Sequence, residues 1–149
     1  MLRDVVARAK GKPSKTGLKE ALAFLTKHHV PPAIVRKLQA CAIARPIQVG
    51  SFVLYPLASL PKENGRENRR ALANGFLVMG RGATGDPVAV ELKTGQVAFL
   101  SHDTLSGFDP ETTRFEECVA RSSLGIGEFW KRAMEQPDFP RDFYEAGGA

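Results

Sequence analysis

Three apolar runs of strand length constrain this chain more than any other feature: Phe76-Leu77-Val78-Met79, Val88-Ala89-Val90-Glu91-Leu92 and Gln96-Val97-Ala98-Phe99-Leu100. Glycine-rich turns separate them, and the combination predicts an antiparallel meander. Thr94-Gly95 supplies a short hairpin connection with a glycine free to take positive φ, and Pro87 stands at a strand start, where a missing N–H does least harm. Because the runs are nearly continuous in apolar character, helices are expected over at least part of the second face of the sheet. The expected fold class is therefore α+β, a single antiparallel β-sheet flanked by N- and C-terminal helices.

The flanking segments carry the helical period. Leu18, Ala21, Leu22 and Leu25 fall on one helix face, with Thr16 as the expected cap and an end near His29. Pro31-Pro32 stops that helix and opens a second, whose apolar face would be Ile34, Val35, Leu38 and Cys41 or Ala42. Ser51-Phe52-Val53-Leu54-Tyr55 suits a strand, with Pro56 and Pro61 bracketing its exit. Residues 62–70 have no apolar side chain and read as an exposed connection that turns helical towards Ala71-Leu72. Ile126, Phe129, Trp130 and Ala133 define a closing helix, with Ser122 or Ser123 as cap and Gln136-Pro137 as stop. Gly125 and Gly127 weaken its first turn, and Phe139, Phe143 and Tyr144 are expected to dock partly before a frayed Gly147-Gly148-Ala149.

At 149 residues the chain suits one domain. A basic N-terminal segment, residues 1–16, with a short frayed helix ahead of the turn-rich stretch 10–16, is expected to precede a single domain spanning 17–149. Charge is unevenly distributed along it: net +8 over residues 1–45, +3 over 46–81 and −6 over 82–149. Such a split steers partners of complementary charge. No apolar stretch approaches the roughly 18 to 20 residues of a membrane span, and the start lacks the apolar run of a secretory signal, so a cytoplasmic protein is expected. Cys41 and Cys118 are far apart and form no C-x-x-C, which argues for reduced buried thiols over a disulfide or a thiolate zinc site.

Several motifs invite chemistry and fail on its requirements. Gly80-Arg81-Gly82-Ala83-Thr84-Gly85 matches G-x-G-x-x-G after a strand, but Asp86-Pro87 leads into another strand where a dinucleotide site needs a helix. Asp86 also stands where a P-loop requires lysine. Ser101-His102-Asp103 spells a hydrolase triad in consecutive residues, whereas neighbours on an extended strand point to opposite faces; a capped strand end, with Asp103 opening the next turn, is the expectation. His28 and His29 lie roughly 100° apart on a helix and make poor joint metal ligands. Glu116-Glu117 reads as a solvated face. No catalytic residue, metal ligand or cofactor-binding residue is assigned. Lys10, Lys12, Lys15 and Lys19 form one basic group and Arg66, Arg69 and Arg70 another, without interleaved aromatics, which disfavours sequence-specific nucleic-acid recognition and leaves weak non-specific binding as a further alternative.

Gly75-Phe76-Leu77-Val78-Met79-Gly80, Gly85-Asp86-Pro87-Val88-Ala89-Val90, Thr94-Gly95-Gln96-Val97 and Leu100-Ser101-His102-Asp103, in this order, resemble the SUKH superfamily, which includes yeast regulators of cell-wall assembly and many bacterial immunity proteins. Leu54-Tyr55-Pro56-Leu57 and the passage from Val119-Ala120-Arg121-Ser122 to Glu128-Phe129-Trp130 fit the same layout, so the resemblance covers about residues 17–135. The two glycines of the last helix and the overall basic balance depart from the family pattern. The resemblance implies an α+β domain that acts by binding and without chemistry: an immunity-type protein that neutralises a cognate toxin by occlusion, or alternatively a regulatory or scaffold module for another protein. Exposed charges on a rigid scaffold are the expected contacts, namely Arg66, Glu67, Arg69 and Arg70, with Asp86 and Asp103 near the turns of the sheet.

Overall fold

The computed structural model describes residues 14–40 and 42–148. Among these residues an antiparallel sheet of six strands runs in chain order: β1 (Ile47–Val49), β2 (Phe52–Leu54), β3 (Phe76–Arg81), β4 (Pro87–Glu91), β5 (Gln96–Leu100) and β6 (Val119–Gly125). It is flanked by α1 (Lys15–Lys27), α2 (Pro32–Ala40), α3 (Leu60–Glu63), α4 (Arg69–Ala73), α5 (His102–Ser106) and α6 (Ile126–Glu135). The α+β architecture expected from the sequence is the one observed. The short N-terminal helix expected before residue 10 lies outside the described residues, as do residues 10–13 of the basic segment.

Both faces of the central strands are dry, which is why their sequences read as unbroken apolar runs. Side chains alternate between the faces. Leu77, Met79, Val88, Val90, Val97 and Phe99 enter a large core with Ala21 and Leu25 of α1, Ile34 and Leu38 of α2, and Phe129 and Trp130 of α6. Phe76, Val78, Ala89, Ala98 and Leu100 enter a smaller core closed by Ala71 of α4, Leu105 of α5 and Cys118. In the large core Phe52, Phe99, Phe129, Trp130 and Phe139 pack with ring centroids 5.2–6.2 Å apart, mostly tilted or edge-on. Such ring pairs add about 1 kcal/mol each to simple burial. Gly80 lets Trp130 lie against β3, since a Cβ there would stand 2.9 Å from Cη2 of Trp130.

Several local expectations are corrected. Ser14, not Thr16, caps α1: its Oγ accepts the Gly17 N–H at 3.0 Å. The helix ends at Lys27, two residues early, because His29 turns left-handed at φ 55°. The N–H groups of His29 and Val30 then return to the carbonyls of Thr26 and Leu25, which closes the helix end before Pro31-Pro32.

Two strands were missed. β1 pairs with β2 across Gly50-Ser51, and with only three residues it offers no readable period. β6 is largely polar, Val-Ala-Arg-Ser-Ser-Leu-Gly, and follows β5 through a register shift at Val97/Ala98 while Ser123 takes φ 60°. Ser122 and Ser123 therefore lie inside a strand and do not cap α6. Ser122 Oγ donates to the Val97 carbonyl at 2.6 Å, and Gly125 occupies the cap position. Cys118 is buried and unpaired, its thiol pushed up by burial and by nearby Glu117; Cys41 lies outside the described residues. Among the described residues no helix is long and apolar enough to cross a membrane.

Candidate functional site

The connection from β2 to β3 is not the wholly exposed loop its composition predicts. Asn64 is buried, at 3% exposure. Its Oδ1 accepts the Val78 N–H at 2.7 Å, and its Nδ2 donates to the carbonyls of Val78 at 2.8 Å and Leu60 at 3.0 Å. β2 stops at Leu54, and the Tyr55 N–H makes the next bond, to the Met79 carbonyl at 3.1 Å. From there on, the β2-facing edge of β3 needs another partner. The Asn64 amide provides both a donor and an acceptor, standing in for a strand residue. This anchor holds the following turn, Gly65 to Asn68, against the sheet, and within it Arg66 takes the left-handed φ of 51°.

Beside this turn lies a half-open cleft of about 310 Å³. Glu67 and Asn68 line it from the turn, Tyr55 from the exit of β2, Val78 and Arg81 from β3, Thr84 and Gly85 from the β3–β4 turn, and His102 from the start of α5. Glu67 Oε2 is 3.5 Å from His102 Nε2, and Asp103 Oδ1 is 3.9 Å from His102 Nδ1. The Tyr55 hydroxyl is half-buried. Burial, then the charge of Glu63, pushes its pKa above 10.0, while the neighbouring Arg81 guanidinium opposes that by charge and hydrogen bond.

The structure brings together most of the residues expected at a binding surface and removes one. Glu67 and Asp103 meet at His102. Arg66 and Arg69 are exposed on the same turn and the helix after it. Arg70 is exposed but engaged: its guanidinium donates to the Phe108 carbonyl and lies 5.4 Å from the Phe108 ring centroid, tying α4 to the segment after α5. Asp86 is the correction. Expected as an exposed charge, it is 5% exposed and faces inward. Oδ1 accepts the His102 N–H at 2.9 Å and Oδ2 the Phe143 N–H at 3.0 Å. A carboxylate beside a turn is normally solvated; here two backbone donors with no other acceptor draw it inside.

Tyr55, Arg81, Thr84 and His102 were not anticipated as neighbours. The available signal was positional: Arg81 ends one apolar strand and His102 follows Ser101 just beyond another, at the same end of the meander, where adjacent connections converge. The triad-like string resolves differently from its spelling. Ser101 is buried and caps α5, its Oγ accepting the Thr104 N–H at 3.2 Å and lying 3.0 Å from Thr104 Oγ1. His102 and Asp103 are helical, not extended. The glycine motif closes the β3–β4 turn, with Gly85 at φ 91°. Glu116 pairs with Arg121 at 2.7 Å, which holds its carboxyl below the usual range. No protein-family model, curated protein or solved structure matches the chain.

Proposed function

We propose that this chain is a binding protein of the immunity type, which neutralises a cognate toxin by covering its active site or substrate surface and catalyses no reaction itself. The observation that carries the reading is the convergence, at one end of the sheet, of three segments distant in sequence: the turn with Arg66, Glu67 and Arg69, the β3–β4 turn after Arg81, and the start of α5 with His102 and Asp103. Each is fixed from below by a buried polar group, Asn64 for the first and Asp86 for the other two. Charged groups on a preorganised base bind a macromolecule with little ordering cost, and their mixed signs select among partners. The SUKH-like order of the sequence pieces supports the same reading.

The test is coexpression with the toxin encoded beside the gene. Rescue of growth and a co-purifying complex are expected, with both weakened by Arg66→Glu/Arg69→Glu. Neither rescue nor complex from the unaltered chain sinks the reading.

A further inference from the structure

We propose that the cleft beside Glu67 is a carboxylate receptor, in which Arg81 with Tyr55 takes an acidic side chain of the protein partner. The inference rests on the protein-binding reading above and names the chemistry of its central contact.

Arg121, Arg132 and Arg141 each hold a glutamate at 2.6–3.0 Å. Among the described residues Arg81 has no such carboxylate, although it is exposed at the end of β3 and lines a cleft large enough for a side chain. The sheet fixes its base: Arg81 stands opposite Val53, and the Tyr55 N–H bonds to the Met79 carbonyl at 3.1 Å. Tyr55 and Arg81 thus line the same cleft. A guanidinium only donates, whereas a phenol also has a hydrogen to give to an incoming oxygen, so the two groups can act together on one carboxylate. Thr84 also lines the cleft, its hydroxyl donating to Asp142 Oδ2 at 3.4 Å. A planar fork of N–H groups with no carboxylate of its own among the described residues matches an incoming carboxylate bidentately.

Glu67 works against this. It lines the same cleft, 3.5 Å from His102, and its charge repels a second carboxylate. The receptor is accordingly tuned: removing the Glu67 charge should tighten it and removing that of Arg81 should empty it.

The test is a titration of the 15N-labelled chain with N-acetyl-glutamate amide, with N-acetyl-glutamine amide and inorganic phosphate as separate arms. Saturable shifts of the Arg81 side-chain N–H and the Thr84 amide are expected with the glutamate probe alone. Arg81→Gln should weaken binding roughly tenfold or more, Arg81→Lys less, and Glu67→Gln should tighten it several-fold. Both positions are exposed, and a dispersed spectrum verifies that each variant is folded. No saturable shift, shifts that persist in Arg81→Gln, or phosphate binding as tightly as the carboxylate would each overturn the receptor. Co-purification with the toxin reports separately: a complex unaffected by Arg81→Gln removes the receptor and leaves the binding reading, whereas saturation by the probe without any complex removes the binding reading and, with it, the protein partner as the source of the carboxylate.

Discussion

Asp86 and Phe143 are 57 residues apart in sequence and joined by one hydrogen bond, from the Phe143 N–H to Asp86 Oδ2 at 3.0 Å. The other carboxylate oxygen takes the His102 N–H, a donor in the first turn of α5 with no partner inside the helix. One buried side chain therefore fixes the β3–β4 turn, the start of α5 and the C-terminal segment together. Asp86→Asn keeps the volume but leaves one acceptor where two donors converge. We expect a loss of about 2–3 kcal/mol in urea denaturation, with faster amide exchange at Phe143 and His102 and easier proteolysis of the C-terminal segment. An Asn variant as stable as the parent would mean that the bond lost to the amide contributes nothing.

Asn64 plays the parallel part for the turn that brings Glu67 and Asn68 to the cleft. Asn64→Ala leaves both backbone groups of Val78 buried without partners, and Asn64→Asp retains the acceptor while losing the donor. Each should cost about 2 kcal/mol or more, with loss of exchange protection centred on Val78. If protection at Val78 survived in the Ala variant, the amide would not be completing the ladder.

His29 sits at a helix end in a conformation that glycine adopts without penalty, φ 55°. Its side chain is exposed, so His29→Gly removes strain at little cost in packing. Thermal unfolding should show a gain of roughly 1 kcal/mol. A destabilised glycine variant would show that the imidazole, which at the adjacent His28 packs tilted against Phe24 with ring centroids 4.5 Å apart, contributes at His29 also.

Tyr55 links the cleft to pH. Its pKa is raised above 10.0 in the folded chain, chiefly by burial. The folded state thus holds its phenolic proton more tightly than the unfolded state. That contribution to stability is complete below about pH 10 and is lost as pH rises through the folded value. The parent should lose stability above pH 10 more steeply than Tyr55→Phe, and an ultraviolet difference titration should show the ionisation displaced upward. Parallel stability curves for the two proteins would contradict this.

How much of this was written in the chain differs by element. The three central strands were legible because both faces of the sheet are buried, so each residue from Phe76 to Met79 or from Val97 to Leu100 had to be apolar. α1, α2 and α6 were legible from one-sided burial at helical spacing. β1 and β6 were not: at a sheet edge pairing comes from backbone groups, and Gln48, Arg121 and Ser123 face solvent without betraying a strand. Of the site, the charged turn at Arg66, Glu67 and Arg69 was readable as surface. Its partners were not, because Tyr55, Arg81 and His102 reach the cleft only once β2, β3 and α5 are assembled.

By itself the sequence determined which apolar residues leave water, and with that the meander, the flanking helices and the uneven charge. Tertiary structure alone decided the fate of the polar groups. Asn64 and Asp86 look like solvent-exposed turn residues until the sheet presents buried backbone groups that nothing else satisfies. Apolar burial follows local pattern, whereas a polar side chain goes wherever an unpaired donor or acceptor remains, and that position exists only in the folded chain.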